Sequence, residues 1–295
     1  MPDIIGTLLP LALAFIMFAV GVTLVPADFT RLVREPRAVI AGLIGQLLLL
    51  PVFAWGLAIA WQLPPEMAVG LVILGACPGG ASSALITHLA RGTAALSVTL
   101  TAITSVVALA SMPIVVQLAL RVFLGDQEAI ELSIVRLVRG VFVITTVPVV
   151  AGMLLRAWRP ALVDRWQALL GRVATALFVL IVIATFVSQR EALVANLSSV
   201  GPAAASLNVA VMLAGIALAY AFRLDRRDAI AIASECGLQN AALGIFVATS
   251  ILGAASLAVP SVVYALLMNV GAFGLIYGAR RWIAAEAVRP QPRTV

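Results

Sequence analysis

The chain of 295 residues has no lysine; all 19 basic side chains are arginine. It has one histidine and two cysteines. That excludes a disulfide framework and a zinc site built from histidine and cysteine. Only 11% of residues are charged, while 63% are hydrophobic and mean hydropathy is +1.12. Soluble domains do not carry that balance, and polytopic membrane proteins do. The net charge of +6 therefore concerns membrane topology rather than nucleic acid. A phosphate-loop motif is also missing, which argues against ATP as the energy source. No loop is long enough for a catalytic or nucleotide-binding domain, and the apolar segments lack a His/Asp set able to build a nucleophile. Neither an enzyme nor an organic cofactor is expected.

What the sequence does have is nine long apolar segments, predicted as spans 4–25, 38–61, 67–90, 93–122, 132–155, 169–188, 202–222, 228–252 and 261–279. A bilayer-crossing helix needs roughly 20 such residues. The first segment has no basic flank before it and is too long for a signal core, so it reads as a span. Between spans lie expected loops: one with Arg31, Arg34 and Arg37, an acidic one with Asp126, Glu128 and Glu131, and, after Ser188, a polar one through Asn196 to Gly201. The end of the chain, past Glu286, reads as a disordered polar tail. Sorted by side, 15 arginines fall in the loops and flanks after the odd-numbered spans, and 4 fall on the other side. This bias predicts an outside N-terminus and a cytoplasmic C-terminus in the inner membrane.

Two spans are interrupted. The third carries Cys77-Pro78-Gly79-Gly80-Ala81-Ser82-Ser83 at its middle, and the eighth carries Ser234-Glu235-Cys236-Gly237-Leu238-Gln239-Asn240. Five spans apart, they run in opposite directions. Each is the penultimate span of its half if the halves are 1–131 and 132–285, with 286–295 a cytoplasmic tail. Interrupted helices at matching places in inverted halves mark the binding site of many secondary transporters. Pro78 lies roughly 16 Å into its span and Gly237 roughly 14 Å into its own, at 1.5 Å per residue. Both depths are near the midplane. There, a broken helix offers free N–H groups that suit an anion and free carbonyls that suit a hard cation.

A carboxylate at that depth costs about 2.5 to 3.5 kcal/mol or more and calls for a partner. For Glu235 the candidates are sodium, a proton, or an arginine such as Arg139 or Arg172. An arginine would make it a buried ion pair that merely ties helices together. Gln239 and Asn240 could add side-chain oxygens, or simply bond between helices. Ser97, Thr101 and Ser105 repeat at i, i+4, i+8 on one face of the fourth span. They could help replace water around sodium, or bond their own i−4 carbonyls. Gln46 and Asn269 are isolated amides, ligands or packing glue. Cys77 and Cys236 sit at the breaks as soft-metal ligands or small buried residues. His88 is an interfacial histidine, and Trp55, Trp61, Trp158, Trp166 and Trp282 read as interface anchors.

At these residues the sequence resembles the bile acid:sodium symporter family over nearly its whole length. The likeness is carried by Gly21-Val22-Thr23-Leu24 with Asp28-Phe29, by Gly45-Gln46, by Cys77-Pro78-Gly79-Gly80 with Ser83, and by Arg91-Gly92 with Ala95-Leu96-Ser97. It also includes Glu235 with Gly237, Gln239 and Asn240, which resembles the family's E-V-G-M-Q-N signature. The resemblance implies an all-α membrane protein in the nine-span form, with inverted repeats, two discontinuous crossing helices, and a panel beside a core domain. It implies one sodium site at Ser83, Ser97, Thr101 and Glu235. A second would use Gln46, Glu235, Gln239 and the carbonyls of Cys236 and Leu238. Substrate would lie near Gly80, Ala81, Asn240 and Asn269. The family often has Asn at Ala84 and Thr at Ala81, which leaves coupling to one sodium, two sodiums or a proton open.

The expected function is sodium-coupled symport of a small organic anion by alternating access, with sodium and the bilayer as the other partners. Small carboxylates such as pantoate or keto acids, and steroid-like anions, all fit the resemblance. Rivals are an arsenite-type exporter using Cys77 as a thiolate, and a non-transporting membrane receptor or scaffold with Glu235 held in an arginine pair.

Overall fold

The computed structural model describes residues 2–80, 82–125 and 134–287. Ala81, the acidic residues Asp126, Glu128 and Glu131, and the tail from 288 lie outside the described residues. Among the described residues twelve helices follow in chain order: α1 (Pro2–Gly21), α2 (Pro26–Arg34), α3 (Pro36–Ala60), α4 (Pro65–Gly75), α5 (Ser83–Leu89), α6 (Ala94–Leu124), α7 (Val135–Trp158), α8 (Pro160–Ser188), α9 (Arg190–Ala221), α10 (Arg226–Gly237), α11 (Ala241–Ile251) and α12 (Val259–Ala287). Prolines at the first turns of α3, α4 and α8 have no N–H to leave unpaired there.

Among the described residues six helices are long and apolar enough to cross a membrane: α3, α6, α7, α8, α9 and α12 with the short turn before it. Three shorter apolar helices are Leu8–Gly21 within α1, α4 and α11. Among the described residues there is no strand, only one isolated bridge between Gly79 and Gln239.

Two expected loops are helices instead. Residues 26–34 form α2, because Pro26 starts a turn and the Asp28 carboxylate accepts from Val25 N–H at 2.8 Å, covering a donor that a helix start leaves free. The polar stretch 189–201 belongs to α9, joined to α8 through Gln189. Its Asn196 donates to the Ala192 carbonyl one turn back (2.8 Å), so the polar side chain is satisfied within the helix. Pro202 sits inside α9 rather than at its start. Trp55 packs on Phe123, near the end of α6, with ring centroids 5.2 Å apart.

The helices pack in two groups. α1, α7 and α8 lie against one another. Gly21 and Gly152 let α1 and α7 touch backbone to backbone: a Cβ on Gly152 would stand 2.5 Å from the Phe18 carbonyl oxygen, and one on Gly21 would collide with that of Val149. The second group is α3 to α6 with α9 to α12. α4 is buried on every side from Met67 to Gly75, as a helix apolar all round should be. The groups meet where α6 touches α7, α1 touches α11 and α8 touches α12.

Candidate ion-binding site

The two breaks lie against each other. α4 ends at Gly75 and α5 begins at Ser83; α10 ends at Gly237 and α11 begins at Ala241. The freed backbone groups pair across the gap: Gly80 N–H donates to the Leu238 carbonyl (2.6 Å) and Asn240 N–H to the Pro78 carbonyl (3.0 Å). Unwound backbone in a membrane protein is tolerated where it is buried in protein and bonded in this way. The approach demands glycine: a Cβ on Gly80 would stand 2.9 Å from the Gln239 carbonyl oxygen, and one on Gly79 would collide with Glu235 Oε1.

Glu235, on the last turn of α10, is fully buried. Its carboxylate accepts from the Ser97 hydroxyl (2.9 Å) and the Thr101 hydroxyl (2.7 Å), one turn apart on α6. Ser83 Oγ, at the start of α5, lies 3.1 Å from Ser97 Oγ and 3.3 Å from Thr101 Oγ1. Four side chains predicted as one set are thus gathered from three helices. Ser105 is not among them; its hydroxyl donates to the Thr101 carbonyl (2.7 Å) within α6. Neither Arg139 nor Arg172 reaches Glu235. Both are exposed, so the carboxylate's hydrogen bonds come from hydroxyls.

A second set gathers where α3 meets the break after α10. α3 widens by one residue into a π turn over Gly45–Leu49, a distortion frequent at functional sites. It carries the buried Gln46, which donates to the Cys77 carbonyl (3.0 Å) and to Gln239 Oε1 (2.8 Å). The Gln239 amide in turn donates to the Cys236 carbonyl (2.8 Å). The Leu238 carbonyl faces Gly80 as above. Gln46, Gln239 and the Cys236 carbonyl therefore converge on the break through one hydrogen-bonded chain. Both sets contain side-chain and backbone oxygens of the type that binds hard monovalent or divalent cations. Among the described residues no three or more His, Cys, Asp and Glu side chains are grouped so that they could hold a metal ion.

The expected substrate residues are more dispersed. Asn240 caps α11, its Oδ1 accepting from Leu243 N–H (3.1 Å), and its Nδ2 lies 3.6 Å from Met17 Sδ of α1. It thus stands where the two helix groups meet. Asn269 donates to the Ala265 carbonyl (2.7 Å) of its own helix. The Cys77 thiol is buried and donates to the Ile73 carbonyl (3.3 Å).

Two polar residues here have no counterpart in the sequence reading. Asn208 of α9 and Tyr264 of α12 are both buried and both donate to the Gly237 carbonyl, at 2.8 and 3.0 Å. An amide midway along an apolar segment was the available signal for Asn208, the same that singled out Gln46.

Residues 10–196 match the model of the Sodium Bile acid symporter family. The chain belongs to that family. It is similar to the "Uncharacterized sodium-dependent transporter YocS" of Bacillus subtilis (strain 168), 34% identical over 266 residues, which is 90% of this chain and 81% of that protein. It is also similar to the "Probable sodium/metabolite cotransporter BASS2, chloroplastic" of Oryza sativa subsp. japonica, 28% identical over 268 residues, 91% of this chain and 62% of the rice protein. A shorter likeness, 30% over 111 residues, links it to the human "Ileal sodium/bile acid cotransporter", covering 38% of this chain and 32% of that one. As a member of the symporter family with helices long and apolar enough to span a membrane, the chain is a multi-pass membrane protein of a transporter family.

Proposed function

We propose that this protein is a secondary active transporter that carries a small organic anion together with sodium. The observation that carries the reading is Glu235: a fully buried carboxylate whose side-chain hydrogen bonds, among the described residues, come from hydroxyls, at the point where two interrupted helices pair. A carboxylate in such a place needs a mobile cation to balance it. Ser83, Ser97, Thr101 and Glu235 form the first sodium site. Gln46, Gln239, Glu235 and the carbonyls of Cys236 and Leu238 form the second. In this reading the Gln239 amide turns its oxygen inward when sodium arrives.

Nine spans accommodate the chain: the six long helices, α1, and the two broken pairs α4–α5 and α10–α11. Residues 1–131 and 132–285 form inverted halves, with the N-terminus outside and the C-terminus in the cytoplasm. α1, α7 and α8 act as the panel, and the other group as the core. Sodium orders the paired breaks, and the anion then binds on the side that faces the panel, near Gly80, Ala81, Asn240 and Asn269. Rocking of the panel against the core exposes the site to each side in turn.

The test is flux. Purified protein in proteoliposomes is given an inward sodium gradient, or an equal potassium gradient, with a panel of radiolabelled carboxylates and bile-acid-like anions. Sodium-driven uptake of at least one anion, lost in Glu235→Gln, is the expected result. Uptake driven by a pH gradient and indifferent to sodium would replace sodium with a proton. No uptake under either gradient, with sodium leaving the protein's stability unchanged, would overturn the reading.

A further inference from the structure

The break after α10 is fixed by more than its pairing with α4–α5. The last carbonyls of a helix have no partner within it. At Gly237 that carbonyl receives two donors from two other helices: Asn208 Nδ2 of α9 at 2.8 Å and the Tyr264 hydroxyl of α12 at 3.0 Å. The two donors also bond each other, Nδ2 to OH at 3.2 Å. On the same peptide unit, Leu238 N–H donates to the Ser234 carbonyl (3.0 Å). Both ends of the Gly237–Leu238 peptide are therefore held, and its plane cannot turn. Residue 238 then leaves the helix extended, with φ −113° and ψ 98°. That direction puts the Leu238 carbonyl on Gly80 and the Gln239 amide on Gln46.

The surrounding chain is shaped for this grip. Met212, one turn after Asn208 on α9, fills the space where a Cβ of Gly237 would stand. On α12, two turns after Tyr264, Gly271 lies against Asn208 Oδ1, and a Cβ there would collide with it. Two donors thus converge on one carbonyl, an amide and a hydroxyl, and a glycine leaves room for the amide.

We infer that Asn208 and Tyr264 are positioning residues for the coupling-ion site: they hold the Gly237–Leu238 peptide in the plane that aims the Leu238 carbonyl and the Gln239 side chain. The inference rests on the sodium site proposed above and deepens it. Neither residue touches the ion. Both act through the backbone that supplies its ligands.

The experiment measures the melting temperature of the purified full chain in detergent across a sodium titration, with potassium keeping ionic strength constant. It compares wild type with Tyr264→Phe, Asn208→Leu and Gly271→Ala. Tyr264→Phe removes one oxygen, and Gly271→Ala removes no hydrogen-bonding group at all. Thr145→Val, which deletes a buried hydroxyl on α7 that donates to its own helix, is the control. Each of the three variants should raise the sodium concentration for half-maximal shift about three- to tenfold, the scale of one buried hydrogen bond. Thr145→Val should leave that midpoint where it is. If the variants melt lower in potassium and sodium alike but keep the wild-type midpoint, the pair is merely structural and the inference fails. If wild type itself shows no sodium-specific shift, the ion site fails, and the inference with it. Should Asn208→Leu not fold, Tyr264→Phe and Gly271→Ala decide the matter.

Discussion

Adding a single methyl group at Gly79 should damage the ion site without replacing any ionisable residue. A Cβ there would fall on Glu235 Oε1 and 2.5 Å from its carboxyl carbon. The backbone of Gly79 cannot retreat, because Gly79 bridges to Gln239 and its neighbours Pro78 and Gly80 are both bonded to the opposite break. The carboxylate must swing away instead. It then leaves the Ser97 and Thr101 hydroxyls, each a bond to a charged group worth about 1.5 to 3 kcal/mol. Overpacking alone costs about 1 to 3 kcal/mol. A loss of at least ~1.4 kcal/mol in ion binding is a tenfold weaker affinity. Gly79→Ala should therefore shift the sodium midpoint of thermal stabilisation upward by an order of magnitude or more. Gly56→Ala is the matched control, since nothing stands within 4 Å of a Cβ at that exposed helix position. It should be neutral or stabilising by up to ~1 kcal/mol. If Gly79→Ala binds sodium like wild type, the carboxylate is not where the argument needs it.

Three further outcomes follow from the same geometry. Ser97→Ala and Thr101→Val each remove a donor to Glu235 and should weaken sodium stabilisation, whereas Ser105→Ala, whose hydroxyl bonds its own helix, should not; sodium titrations of melting temperature separate them. Gln46→Leu leaves the Cys77 carbonyl and Gln239 Oε1 without the donor they share, so chemical denaturation should register a loss of about 1 to 3 kcal/mol even in potassium. Asn240→Ala deletes the cap of α11 and should cost about 1 kcal/mol of stability. If Asn240 also faces the substrate, anion uptake falls further than that loss explains.

Much of this site could be read from the chain because its signals are local and out of place. Pro78 with two glycines, and Glu235 two residues before Gly237, stand out inside apolar segments that otherwise have no reason to break. The helical repeat of Ser97 and Thr101 was equally visible. What the repeat could not say is that Ser105 turns back to its own carbonyl, because a hydroxyl on a membrane helix has both options at similar energy. The π turn at Gln46 left no mark either, since one extra residue in an apolar helix changes no composition. Asn208 and Tyr264 lie 29 and 27 residues from Gly237 in sequence, and only packing joins them. The misread loops had a simpler cause. Arg31 and Arg34 in α2, and Asn196 and Ser199 in α9, made those stretches look polar, yet polar helix ends at a membrane surface carry that same composition.

The most direct test of the central claim is equilibrium binding of radiolabelled sodium to the purified protein, wild type beside Glu235→Gln. Saturable binding in the wild type, competed by unlabelled sodium but not by potassium and absent from a folded Glu235→Gln, is the predicted result. Binding of equal strength in both proteins would remove Glu235 from the site. Absence of binding in the wild type would mean that the buried carboxylate is balanced by something other than sodium.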